Sequence, residues 1–131
     1  MSGTLYLCAT PIGNLGDMTF RAVEILKTVD LIAAEDTRNT LRLLNHFDIK
    51  TPMTSYHQHN LETKGPALIE KLKAGQNIAL VTDAGMPGIS DPGEDLARRC
   101  HQEGIPVTIA PGASAGISAL VLSGMDARRY V

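Results

Sequence analysis

No apolar run in this sequence approaches the roughly 18 consecutive residues that a membrane-spanning helix needs. The first residues, Met1-Ser2-Gly3-Thr4, have neither the basic nor the apolar stretch of a secretion signal. Cysteine is scarce: Cys8 and Cys100 lie far apart, one in a predicted strand and one in a predicted helix. Without a cysteine framework, a reducing cytoplasm is the expected setting. Basic charge is not in excess either, since 12 Lys and Arg face 14 Asp and Glu, for a net charge of −2 and a pI near 6.0. A domain whose main task is gripping phosphate backbones should be basic. Any RNA contact is therefore expected to be local, or to come from chain not present here. With 44% apolar and only 20% charged residues, disorder is excluded, and 131 residues suit a single domain.

What is present is a fivefold alternation of strand and helix signals. Strands are predicted at Thr4–Thr10, Leu31–Ala34, Met53–Tyr56, Asn77–Thr82 and Val107–Ala110. Ile78-Ala79-Leu80-Val81 is a continuous apolar run, which suits a parallel strand covered on both faces. Asp17 is expected to cap a first helix whose apolar side carries Phe20, Val23, Leu26 and Val29. Asp36 or Thr37 caps a second, with Leu41, Leu44 and Phe47. A third carries Leu68, Ile69 and Leu72 and stops at Gly75. Asp91-Pro92-Gly93-Glu94 opens a fourth, with Asp91 as cap and Glu94 closing a capping-box-like arrangement. Ser114–Ser123, rich in small residues, is expected to be a close-packing last helix. The pattern predicts an α/β fold: a mostly parallel five-stranded sheet flanked by helices, with right-handed crossovers.

In such a sheet, ligands bind beyond the carboxyl ends of the strands. Four unusual segments follow strands here. The first is Thr10-Pro11-Ile12-Gly13-Asn14-Leu15-Gly16-Asp17. Its glycines allow close ligand approach, but it is neither a dinucleotide fingerprint nor a triphosphate-binding loop, and an ordinary turn would read the same way. The second is Glu35-Asp36-Thr37-Arg38. A cap at Asp36 or Thr37 and a solvated Arg38 leave Glu35 unexplained, an acid able to accept a proton at the sheet edge. The third, Asp83-Ala84-Gly85-Met86-Pro87-Gly88-Ile89-Ser90-Asp91-Pro92-Gly93, holds three glycines and two prolines in eleven residues. Such a preshaped backbone can hold a small ligand through its own amide groups. Helix capping explains Asp91-Pro92 but not the residues before it. The fourth is Pro111-Gly112-Ala113-Ser114-Ala115. His57 and His59 would share a face if extended, but further metal ligands are lacking, so no metal site is expected. They read as polar surface, with a substrate role as an intermediate option. His46 and His101 read as helix-surface residues.

Together these four segments resemble the ribosomal RNA 2′-O-ribose methyltransferase branch of the tetrapyrrole methylase superfamily. The likeness extends over nearly the whole chain, and Glu35-Asp36-Thr37-Arg38 and Asp83-Ala84-Gly85 are the motifs specific to the branch. The resemblance implies a two-domain class III methyltransferase that binds S-adenosylmethionine between its domains and works as a homodimer. Residues 1–131 would be its N-terminal domain, and the second domain is expected to begin near Arg128-Arg129-Tyr130-Val131, leaving this chain a fragment with an incomplete site. Pro11, Asp83, Ala84, Gly85, Gly88, Ser114 and Ala115 match cofactor-binding positions. Two departures stand out. Asp83-Ala84-Gly85 moves the carboxylate two places from its position in the Gly-Gly-Asp of the porphyrin-type members, and Met86 stands where the branch more often has Thr.

The implied reaction methylates a cytidine ribose 2′-hydroxyl in 16S ribosomal RNA, with small-subunit ribosomal RNA or the ribosomal subunit as partner. A ribose hydroxyl is a weak nucleophile, so a base is useful. Glu35 or Asp36 is expected to serve, with His57 as a further possibility and Arg38 meeting a phosphate. Methylation of a tetrapyrrole or other small molecule is the alternative enzymatic reading, which the acidic charge favours and the branch motifs oppose. A non-catalytic binding or dimerisation domain is the third.

Overall fold

Residues 1–131 are described by a computed structural model. Its architecture follows from the strand Ile78–Val81, in which all four side chains are buried. Ile78 and Leu80 join one apolar cluster and Ala79 and Val81 another, so the period-two alternation of a strand feeds two cores. Numbered along the chain, the strands are β1 (Leu5–Cys8), β2 (Leu31–Ala34), β3 (Met53–Ser55), β4 (Ile78–Val81) and β5 (Val107–Ala110). They form one sheet in the order β3-β2-β4-β1-β5, and every neighbouring pair is parallel.

The helices are α1 (Phe20–Thr28), α2 (Thr37–His46), α3 (Leu61–Lys73), α4 (Gly93–Gln102) and α5 (Ala115–Ser123). Ala22 and Leu26 of α1 and Leu43 and Leu44 of α2 pack with Cys8, Ile32, Ala34 and Val81 on one face. Leu68 and Leu72 of α3 and Leu96 and Cys100 of α4 pack with Leu5, Ala33 and Leu80 on the other. The register aligns Leu31, Ile78, Leu5 and Val107 across the sheet. Because these strands start level and are equally short, the loops that follow them leave from one edge.

A polar knot ties α4 to the segment after β3. Arg99 Nε donates to Asp95 Oδ2 at 2.7 Å, and the buried Tyr56 hydroxyl donates to the same oxygen at 2.5 Å. Gly65 makes room for this guanidinium, since a Cβ there would lie 2.7 Å from Arg99 Nε.

Several expected details are corrected. Thr19 caps α1, its Oγ1 accepting from the amide of Ala22 at 3.0 Å. Asp17 is instead part of a single 3-10 turn, Leu15–Asp17, capped by Asn14. Phe20 is consequently 96% exposed rather than on the buried face, which belongs to Ala22 and Leu26. In α2 the cap is Asp36, accepting from Arg38 N at 2.9 Å, and Leu43 and Leu44 are buried while Leu41 is exposed. The N-cap of α4 is Pro92, not Asp91, and no side-chain capping bond is made by it or by Glu94; Asp91, one residue earlier, accepts from Gly93 N at 2.8 Å. No residue of α5 is buried, so the close packing expected of its small residues does not occur within this chain. The strands β1, β3 and β4 are shorter than predicted at their ends, whereas α3 is followed by Gly75 at φ +98° as anticipated.

Candidate functional site

Three of the strand-end loops are locked together at Gly85. Thr10 N donates to Gly85 O at 3.1 Å, and Gly85 N donates to Thr10 O at 2.9 Å. The pair forms an antiparallel bridge between the loops after β1 and β4. Thr10 Oγ1 adds a 3.4 Å bond to the Thr82 carbonyl. Gly85 has φ +79°, a region costly for residues with a side chain, and a Cβ there would lie 3.2 Å from both Ala113 O and Ile12 Cγ2. The loop after β5 therefore also presses against this point.

The rest of the β4 loop is stapled by Asp91. Its carboxylate accepts from Gly88 N at 2.8 and 3.0 Å and from Gly93 N at 2.8 Å. One side chain thus ties the first residue of α4 to the preceding turn.

Two cavities open on either side of the Thr10–Gly85 bridge. One, of about 490 Å³, is mostly apolar and is lined by Ala84, Gly85, Met86, Ile89 and the start of α5 from Ser114 through Ile117. The other, of about 290 Å³, is lined mainly by polar residue types, among them Thr10, Asn14, Thr82, Asp83 and the face of α2 that carries Asn39, Thr40 and Arg42, with Pro11 beside them. Thr10 lines the polar cavity and Gly85 the apolar one, so their shared hydrogen bonds form the wall between them.

Glu35, at the carboxyl end of β2, lines neither cavity and stands close to Asp83. Burial raises its carboxyl above the ordinary range, and the Asp83 carboxylate raises it further. The backbone amide of Asp83 acts in the opposite direction, while Asp91 and Asp36 add smaller upward contributions. A carboxylate shifted this way is a better proton acceptor than an exposed one.

The sequence-derived residues fall into distinct places. Ala84, Gly85, Ser114 and Ala115 surround the apolar cavity. Pro11 and Asp83 line the polar one. Gly88 lines neither; it borders a shallow groove beside α4, with its amide already bonded to Asp91. Asp36 is engaged as the α2 cap, and Arg38 reaches back to it at 3.7 Å while remaining almost fully exposed. His57 is not extended alongside His59. Its Nδ1 accepts from His59 N at 3.2 Å and its own amide donates to Asn60 Oδ1 at 2.8 Å, so the two rings stand in a turn. Neither cavity is lined by His57.

The sequence reading missed Thr10, Thr82, Asn39, Thr40 and Arg42. Asn39 and Arg42 are three apart on α2, the spacing that places two helical residues on one face. That spacing was visible, but which face turned to the sheet edge was not.

The whole arrangement has close counterparts. The model of the tetrapyrrole (corrin/porphyrin) methylases matches residues 4–130. A Synechocystis sp. protein named ribosomal RNA small subunit methyltransferase I is 62% identical over 129 residues, which are 98% of this chain and 46% of that protein. The Bacillus subtilis protein of the same name is 55% identical over 94% of this chain and 42% of its own length. The chain thus spans less than half the length of these curated relatives. Among solved structures, uroporphyrin-III-C-methyltransferase from Thermus thermophilus superposes with a TM-score of 0.70 at 21% identity, over 95% of this chain and 53% of that one. A diphthine synthase gives 0.75 at 18% identity, over 99% and 52%. At those identities the likeness is one of fold, and it agrees with the parallel five-stranded sheet. The match over residues 4–130, together with this fold and its strand-end loops, places the chain in the tetrapyrrole (corrin/porphyrin) methylase family, in the branch where these curated relatives stand.

Proposed function

We propose that the full-length protein is an S-adenosylmethionine-dependent methyltransferase acting on a cytidine ribose 2′-hydroxyl of 16S ribosomal RNA in the cytoplasm. The arrangement that supports this reading is an apolar and a polar cavity on either side of the Thr10–Gly85 bridge, with Glu35 close to Asp83, which lines the polar one. Family membership and the names of the similar curated proteins supply the reaction class. The small ribosomal subunit is then the partner, and a homodimer the working form.

The apolar cavity fits the cofactor on its own features. Its volume is in the roughly 300–1,000 Å³ range of small-molecule sites. The absence of a Cβ at Gly85 lets the Ala113 carbonyl and Ile12 pack closely on the loop backbone that borders the cavity. Ala84, Gly85, Ser114 and Ala115 would hold the cofactor there, with Pro11 and Asp83 at the boundary and Gly88 acting through the loop it closes with Asp91. When bound, S-adenosylmethionine supplies an electrophilic methyl group on a sulfonium. This chain's own contribution is alignment and proton transfer. Glu35 accepts the proton of the ribose hydroxyl, and Asp36 holds α2 and Arg38 in place at the substrate side. His57 is the reserve position for the base.

Replacing Glu35 by Gln in the full-length protein tests the assignment. Methyl transfer to small ribosomal subunits should fall about a hundredfold or more, with cofactor affinity retained. Undiminished transfer would remove Glu35 as the base.

A further inference from the structure

The polar cavity has features that neither the cofactor nor the base requires. Thr40 is only 4% exposed and Thr82 only 6%, and both line it. Neither hydroxyl bonds within the chain, yet no side-chain polar atom is sealed from solvent without a partner, so both are open to the cavity. Interior polar groups are normally paired. Two unpaired hydroxyls at the bottom of one cleft are therefore equipped for a polar ligand. At the rim, Arg42 has no ion-pair partner, in contrast to Arg38, Arg98 and Arg99. Asn39 has only a long 3.4 Å contact to Asp36, and Asn14 uses its oxygen as a cap, leaving its amide nitrogen as a donor.

We infer that this cavity is the subsite for the target nucleotide of an RNA strand, with Thr40 and Thr82 contacting its sugar and Arg42 and Asn39 its phosphodiester. The inference rests on the methyltransferase reading above and specifies which residues take the substrate. Donors at the rim and hydroxyls below match a sugar–phosphate, anionic at one end and hydroxylic at the other. Arginine is well suited to the anionic end because its fork can form two parallel bonds to phosphate oxygens. A single such patch is also compatible with the acidic net charge, since one or two phosphate contacts need no basic surface.

The test uses full-length protein, small ribosomal subunits lacking the methyl group, and separate titration of S-adenosylmethionine. Arg42→Ala and Thr40→Val should each raise KM for the subunit, Arg42→Ala by roughly tenfold or more. The Arg42→Ala effect should shrink as salt rises, and cofactor affinity should be unchanged in both. Arg42 is exposed, so its replacement does not threaten folding. An unchanged KM for both variants would overturn the inference. Lost cofactor affinity would also overturn it, by assigning the cavity to the cofactor. Inactivity of the unaltered protein on subunits would instead bring down the methyltransferase reading, and the inference with it.

Discussion

Replacing Asp91 by Ala removes the staple of the β4 loop. Its carboxylate serves two amides, those of Gly88 and Gly93, through three contacts of 2.8 to 3.0 Å. Hydrogen bonds to a charged group contribute roughly 1.5–3 kcal/mol each, so two amides set a gross loss of about 3–6 kcal/mol. Asp91 and Gly88 are only half-buried, and water can re-solvate the Gly88 amide. The net cost should therefore be about 2–4 kcal/mol. At roughly 3–5 °C per kcal/mol for a chain of this size, the melting temperature should fall by about 10 °C. Asp91→Asn should fall between the two. Its single oxygen can keep the bonds made by Oδ1, but its amide group would turn a donor toward Gly88 N. Urea unfolding of the three proteins measures the order directly. A cost below about 0.5 kcal/mol for Asp91→Ala, the level of an ordinary surface change, would refute the idea that one carboxylate shapes this loop.

Gly85→Ala should destabilise the chain by roughly 1–3 kcal/mol, from its positive φ and from the two 3.2 Å contacts, and should weaken cofactor binding. Gly88→Ala has a positive φ but open space around the added Cβ, so calorimetry and urea unfolding should show a smaller effect. Glu35 has a raised folded-state pKa, so its ionised form opposes folding; the penalty is absent below the ordinary glutamate range and complete above the folded pKa. Glu35→Gln should therefore match the parent's stability near about pH 4 and exceed it near about pH 8, as urea unfolding at the two pH values will show. In this chain Leu122→Ser should cost less than about 0.5 kcal/mol because Leu122 is largely exposed, whereas Leu26→Ala should cost about 2–5 kcal/mol from the core.

The parallel sheet was legible because β4 is uniformly apolar and because β2 and β5 are bounded by strong breakers; both were predicted with the observed limits. The site edge followed from topology alone. Helix starts were less legible where two caps competed. Asn14 and Thr19 both cap, and the short turn between them displaced Asp17 and turned Phe20 outward. The raised position of Glu35 depends on Asp83 and Asp91, which are far away in sequence. No local pattern carries that proximity. Likewise, the small residues of α5 suggest close packing, yet none of its residues is buried.

The most direct measurement is the location of the transferred methyl group. Full-length protein would be incubated with labelled S-adenosylmethionine and small ribosomal subunits lacking the modification, followed by digestion of the RNA to nucleosides and mass spectrometry. The account predicts label in 2′-O-methylcytidine, strongly reduced by Glu35→Gln. Label on a base, or transfer to a porphyrin precursor with none to the subunit, would contradict it.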